Sequence, residues 1–361
     1  MGELIKKLLL TNSIAQRLWA WRSEGLRQSH LCYNPHCPNS AQAIKSHILQ
    51  KNGILNYVSE DIGNGKEIIE LRYNDYFKQD KTRKIYDFVK AGVTKSNEVA
   101  FWGFCPECDR NLFSSLEVGP RDFTNRRNQT LLTYRALMRD ICKQEYNIAF
   151  YTKVRTSANV TREARMYCRD AQLPQAVQLR SNYELRYRLE SFLFGGATDY
   201  VFNYLVFCLP LVKLAHSAII GGPHHTVLNG AEANELLAWK PDYISIGDAS
   251  QYRFTGPLGT FNLIPTANEL IVVIGYDENM QEICGVPIKS INSIDNKSKF
   301  KLISDILITR GKSWCMAPSL YENLKSAGHD DLILDSITYF GPDRMKHLTP
   351  AINMFDGQGL F

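Results

Sequence analysis

Residues 30–50 read HLCYNPHCPNSAQAIKSHILQ, and residues 101–117 read FWGFCPECDRNLFSSLE. Each stretch holds a cysteine pair among turn-forming residues: Cys32 and Cys37 around NPHCPN, Cys105 and Cys108 in CPEC. A tight turn aims two nearby side chains at one point, whereas a structural cysteine ordinarily hides in an apolar run. Two such pairs supply the four ligands of a closed tetrahedral zinc site. The spacing is C-x4-C and C-x2-C, with 67 residues between the pairs. His36, next to Cys37, is an alternative ligand in place of one thiol. The other cysteines, Cys142, Cys168, Cys208, Cys284 and Cys315, lie in apolar surroundings and read as core residues.

Working outward, the chain has 361 residues, 44% hydrophobic and 22% charged, which suits an ordered protein with a large core. Residues 3–28 read as an amphipathic helix with Leu8, Ile14, Leu18 and Trp21 as apolar positions, and not as a secretory signal. Nine cysteines without such a signal fit reduced thiols, so the expected location is cytoplasmic and metal ranks ahead of disulfides. The apolar run at 200–222, YVFNYLVFCLPLVKLAHSAIIGG, contains Asn203, Pro210, Lys213 and His216. A lysine at mid-bilayer costs about 3 kcal/mol, so the run reads as two buried strands and no membrane partner is expected.

The formal charge is +5, unevenly spread. Residues 1–190 carry 30 Lys and Arg against 20 Asp and Glu, a net of +10; residues 191–361 carry 12 against 17, a net of −5. A basic half points toward a polyanion. Residues 125–150 have helical period, with Leu131, Tyr134, Met138 and Ile141 on one face. Arg135, Arg139 and Lys143 fall on another face at a spacing of four, with Arg127 two turns earlier. That stripe is the candidate nucleic-acid contact, or else an ordinary solvated face. Basic helical segments continue through TREARMYCRDAQ and SNYELRYRLESFLF. After Gly195 and Gly196 come short apolar runs separated by turn residues (VFNYLVFCL, DYISIG, ELIVVIGYD, EICGVPIKSI), then helical KFKLISDILITRG. The expected class is α+β, in three parts: a zinc-knuckle ββα-like unit with an N-terminal helix (1–120), basic helices (121–195), and an α+β C-terminal domain (196–361) suited to self-association or a protein partner.

Residues 30–118 resemble the HNH nucleases. That family's ββα-metal unit places a cysteine pair before a strand ending in histidine, then a second pair opening a helix that carries the last metal ligand. The resemblance implies His47 as general base and Asp109 as ligand of a catalytic Mg²⁺, beside a structural Zn²⁺ on Cys32, Cys37, Cys105 and Cys108. A histidine near neutral pKa can deprotonate water, and an oxygen-held Mg²⁺ stabilises charge on a phosphate. The chain departs from the pattern in the four residues between Cys32 and Cys37, in Ser46 before His47, and in Asn97, which lies too far from the second pair. SHILQ (46–50), GFCPECD (103–109) and LFSSLE (112–117) also resemble a pattern in bacterial proteins associated with anti-phage defence. A metal-dependent nuclease and a non-catalytic zinc-stabilised module that binds nucleic acid or protein both fit these residues. IIGGPHHT (219–226) lacks the lysine of a phosphate loop and reads as a surface turn; no Walker, dinucleotide or G-x-S-x-G pattern occurs.

Overall fold

A computed structural model describes residues 31–38, 42–50, 53–63, 65–73, 86–94, 96, 99–117, 122–158, 160–199, 201–221, 230–238, 258–311, 314–340 and 350–357. The helix expected over 3–28, the DYISIG strand and the histidine pair His224–His225 lie outside these residues. The class is α+β.

Two elements start the region between the cysteine pairs: strand β1 (Ile44–His47) and the short helix α1 (Ile54–Val58). Next come β2 (Glu60–Asp61), β3 (Lys66–Tyr73) and β4 (Tyr86–Gly92). Strand β5 (Ala100–Phe104) then returns to pair antiparallel with β1, and helix α2 (Pro106–Glu117) leaves directly from the second cysteine pair. The order β1, β5, α2 is ββα-like, as expected. The 67 residues between the cysteine pairs are explained by β2, β3 and β4, which depart from this unit and join a large sheet elsewhere.

Two long helices follow, α3 (Arg126–Thr156) and α4 (Arg162–Phe194). Asn125 caps α3 by accepting from the amides of Arg127 and Asn128, and Thr161 caps α4 by accepting from Ala164. The basic helical region around TREARMYCRDAQ and SNYELRYRLESFLF is this one helix α4, which continues through Pro174. At 1.5 Å per residue each helix is about 45–50 Å long. They run antiparallel, joined by polar rungs: Tyr134 to Glu190, Asn182 to Gln144, Asn147 to Gln175 and Gln172 to Thr152.

The apolar run at 200–222 is two strands, β6 (Asn203–Pro210) and β7 (Leu214–Gly221); β7 is buried as expected, but β6, at the sheet's edge, is only partly covered. Helix α5 (Gly230–Ala238), strands β8 (Leu258–Pro265) and β9 (Glu269–Tyr276), and a small hairpin of β10 (Glu282–Ile283) and β11 (Val286–Pro287) follow. The chain continues with α6 (Asn296–Arg310), β12 (Trp314–Met316), α7 (Pro318–Ser326) and α8 (His329–Phe340). The eight-stranded sheet runs β2-β3-β12-β7-β8-β9-β6, with β4 on β3, and its pairings are antiparallel. No described helix is long and apolar enough to cross a membrane.

Alternation along the strands divides two cores. Ile68, Ala215, Ile219, Ile264, Val273 and Cys315 join the core of α2, α3, α4 and the cysteines. Ile69, Leu214, Ile220, Leu263, Val272 and Trp314 join the core of α6, α7 and α8. The central strands are therefore covered on both faces, which is why they read as continuous apolar runs. The expected boundary near residue 195 is corrected by this sheet. Strand β12 hydrogen-bonds β3 on one side and β7 on the other, so N-terminal strands complete a sheet begun by C-terminal ones. Glu60 reinforces the junction: its carboxylate accepts from the amide and hydroxyl of Ser319 at the start of α7 and pairs with Lys213 at 2.8 Å. Helix α7 has no side-chain cap of its own, so a carboxylate from a distant strand supplies one. Burial pushes the Glu60 carboxyl up, but these hydrogen bonds outweigh it and leave the carboxyl below its usual value.

Candidate metal centre

The four predicted cysteines converge. The Sγ atoms of Cys32, Cys37, Cys105 and Cys108 all lie within 4.8 Å of one another, and all four cysteines are free thiols. Cys37 Sγ is 3.8 Å from Cys105 Sγ. A tetrahedron with zinc–sulfur bonds of about 2.3 Å has edges of about 3.8 Å, so the pocket fits a metal ion such as zinc.

Local structure sets this geometry. In the first knuckle, the amide of Cys37 donates to Asn34 O and that of His36 to Asn34 Oδ1, folding the turn that brings Cys37 back toward Cys32. The amide of Tyr33 donates to Gly103 O at 2.8 Å, fastening this turn to the end of β5. The second pair sits where β5 passes into the first turn of α2. There the Cys105 amide donates to Cys32 Sγ at 3.2 Å, and the Cys108 amide to Cys105 Sγ at 3.4 Å. Asn34 Nδ2 adds a donor to Cys108 Sγ at 3.2 Å. Donors to sulfur offset thiolate charge and orient the ligands, as outer-shell groups do at metal sites. Burial pushes the Cys32 and Cys108 thiols above their ordinary range, and it takes a cation to hold such sulfurs as thiolates. His36 is not part of the cluster; its ring packs edge-on against Phe194, 5.3 Å between centroids.

The remaining cysteines divide. Cys142, Cys168 and Cys315 are buried as expected, but Cys284 is only half-buried and Cys208 is exposed, on the sheet's edge strand β6.

The candidate catalytic residues are placed differently from the cysteines. In the β1–β5 register Ile44 lies beside Phe104 and His47 beside Ala100. His47 is thus at the end of the strand pair away from Cys105, roughly 16 Å along β5 at 3.2–3.4 Å per residue. Gln50 Nε2 donates to Glu117 O, so α2 runs back along the strands and ends near His47. Asp109 is in the first turn of α2, at the cysteine end, so the expected base and ligand fall at opposite ends of the unit. Asp109 is also engaged. Arg135 of α3 pairs with it at 3.1 Å and with Glu117 at 2.8 Å, and its guanidinium lies 4.4 Å from the Phe113 ring centroid. Residues 109, 113 and 117 are one stripe of α2 at intervals of four, held by one arginine.

This corrects the basic stripe on α3. Arg135 and Arg139 are each 3% exposed, and Arg139 pairs with Asp140. A guanidinium in that position cannot reach a phosphate backbone in solvent. Arg127 and Lys143 are exposed, but Arg127 donates to Leu193 O near the C-terminus of α4, where helix carbonyls are unsatisfied. The four residues therefore do not form one open surface. Their helical period was correct; the face carrying Arg135 and Arg139 is covered by α2 and the cysteine unit.

A polar network was missed by sequence reasoning. Tyr33, between the first two cysteines, donates its hydroxyl to Glu145, which also accepts from Tyr183. Arg186 Nη2 donates to Tyr33 O at 2.7 Å, and its Nε pairs with Glu190 at 2.7 Å; Glu190 accepts in turn from Tyr134. Burial, then the neighbouring Glu145 charge, push the Tyr33 phenol far above its ordinary range, so it stays a donor. The network ties the first knuckle to both long helices. Only the i, i+4 pair of Arg186 and Glu190 was readable in advance.

No protein-family model, curated protein or solved structure matches the chain.

Proposed function

We propose that the chain is a zinc-clamped, non-catalytic binding scaffold, in which a Zn²⁺ on Cys32, Cys37, Cys105 and Cys108 fastens the ββα unit onto the α3–α4 hairpin. The observation that supports it is the mutual approach of four sulfurs within 4.8 Å from two turns far apart in sequence. Four protein ligands fill a tetrahedron and leave no position for substrate, which is the pattern of a structural site. Bound zinc would supply only cross-linking here. The chain's own residues do the rest: Asn34 and the Cys105 and Cys108 amides donate to the sulfurs, and Tyr33 carries the knuckle's position into the helices. The test is metal analysis of the purified protein. The expected result is one zinc per chain, lost in Cys37→Ser and Cys105→Ser; a metal-free, equally stable protein would refute it.

A second reading, a metal-dependent nuclease, is supported by the ββα order of β1, β5 and α2. Lys45 shares a strand face with His47. Burial lowers its pKa, and the charge of the buried Glu70 acts in the opposite direction. Mg²⁺-dependent cleavage of DNA or RNA by the wild type, abolished in His47→Ala, would establish this reading. Equal behaviour of the two proteins would end it.

A further inference from the structure

The outer third of the α3–α4 hairpin carries a different set of arginines from its base. Phe150, Val154, Val160 and Cys168 form a small apolar core of their own there. Gln172 Nε2 donates to Thr152 Oγ1 at 2.8 Å across the helices. Lys153 and Arg155 lie in the last turn of α3, and Arg162, Arg165 and Arg169 open α4. Residues 150–172 hold these five bases against two acids, Glu163 and Asp170. At 100° per residue the three arginines of α4 fall within about 60° of one another, with the two acids together about 80–100° round from Arg162. Arg162 and Arg169 stand one above the other, about 10 Å apart along the axis.

Arg162, Arg165 and Arg169 are exposed, and among the described residues no carboxylate pairs with them or with Arg155. Arg165 closes the hairpin turn through the carbonyls of Ser157 and Ala158 at 3.0 and 3.3 Å. Among the described residues Arg162 and Arg169 make no such bond, and Arg155 is half-buried beside them. Guanidinium groups present a planar fork that matches phosphate oxygens. A membrane-surface helix would need a broad exposed apolar face beside its charges. Here the buried side chains of α4 pack inward, and Met166, 55% exposed, is the large apolar side chain left outside at the tip.

We propose that this tip is a nucleic-acid contact, with Arg155, Arg162 and Arg169 receiving backbone phosphates. The proposal rests on reading the chain as a binding scaffold, but not on its metal, which is assayed separately. Three to five phosphate contacts on duplex DNA predict a loss of affinity of roughly 40- to 500-fold between 50 and 200 mM salt. The experiment measures fluorescence anisotropy of a labelled 20-base duplex and of its single strand with the full chain. Arg162→Glu/Arg169→Glu is compared with Lys289→Glu/Lys325→Glu, an equal charge change on exposed positions elsewhere. Arg165 is left in place because it closes the turn. Both doubles should unfold at the wild-type temperature and keep the same metal content. The tip double should bind at least about tenfold more weakly, with a salt slope flatter by about 1.8. The control double should change both much less. Equal loss in the two doubles would overturn the proposal, as would a wild type that ignores both oligonucleotides at low salt. Binding to vesicles containing phosphatidylserine in preference to the oligonucleotides would also overturn it.

Discussion

At its base the α3–α4 hairpin buries Arg135 and Arg139 and half-buries Arg186, and at its tip it holds Arg162 and Arg169 in water. Arg135 lies between Asp109, Glu117 and the Phe113 ring; Arg186 lies between Glu190 and two tyrosines. At the tip Arg162 and Arg169 face solvent with no carboxylate partner among the described residues. Both sets sit at helical pitch on the same pair of helices. The difference comes from what covers them. The ββα unit and the sheet pack over the base, and a buried charge survives there only because it is paired and hydrogen-bonded. Among the described residues nothing of that kind packs on Arg162 and Arg169, which stay exposed.

The largest effect should come from taking the proposed metal away from the base. Removing it with a strong chelator should lower the unfolding temperature by roughly ten degrees or more, given the size of structural zinc binding energies. Calorimetry with and without chelator measures this, and an unchanged midpoint would mean that the base is held by packing alone. The next test sets one arginine of each kind side by side. Arg135→Met removes the shared partner of two half-buried carboxylates and should cost about 3 kcal/mol. Arg162→Met at the surface should change stability by less than about 0.5 kcal/mol. Urea unfolding of both variants decides it, and comparable losses would erase the distinction. Within the base, Tyr33→Phe removes a donor from Glu145 and should cost about 1–3 kcal/mol. If its stability matches wild type, the knuckle is not coupled to the helices through that network. The smallest effect belongs to the tip: Gln172→Ala breaks the bond to Thr152 and should cost about 1 kcal/mol. Hydrogen exchange should show that loss as faster opening of residues 150–172 while residues 126–147 stay protected.

Legibility followed the range of the interaction. The cysteine pairs were readable because turn chemistry is local, and two local turns need only one shared ion to meet. The helix over 125–150 and the strands within 200–222 were readable because burial imprints a period on the chain. Asp109 and Arg135 show where this fails. Each was correctly placed on its helix, yet one was expected to hold a metal and the other a phosphate, and they hold each other. A helical period tells which residues share a face and not what packs against that face. The division at residue 195 failed for a related reason: the three residues of β12 carry too little pattern to reveal that they join β3 to β7.

By itself, then, the order of amino acids determined the α+β class, the four cysteines that cluster, the long helices and the pair of strands within 200–222, all of which depend on neighbours a few residues apart. Only the tertiary structure decided which arginines are sealed and which are exposed. It also decided that His47 and Asp109 lie at opposite ends of the ββα unit, and that N- and C-terminal strands share one sheet. Those outcomes depend on which surfaces exclude water from which charges, and that is a property of packing between distant segments.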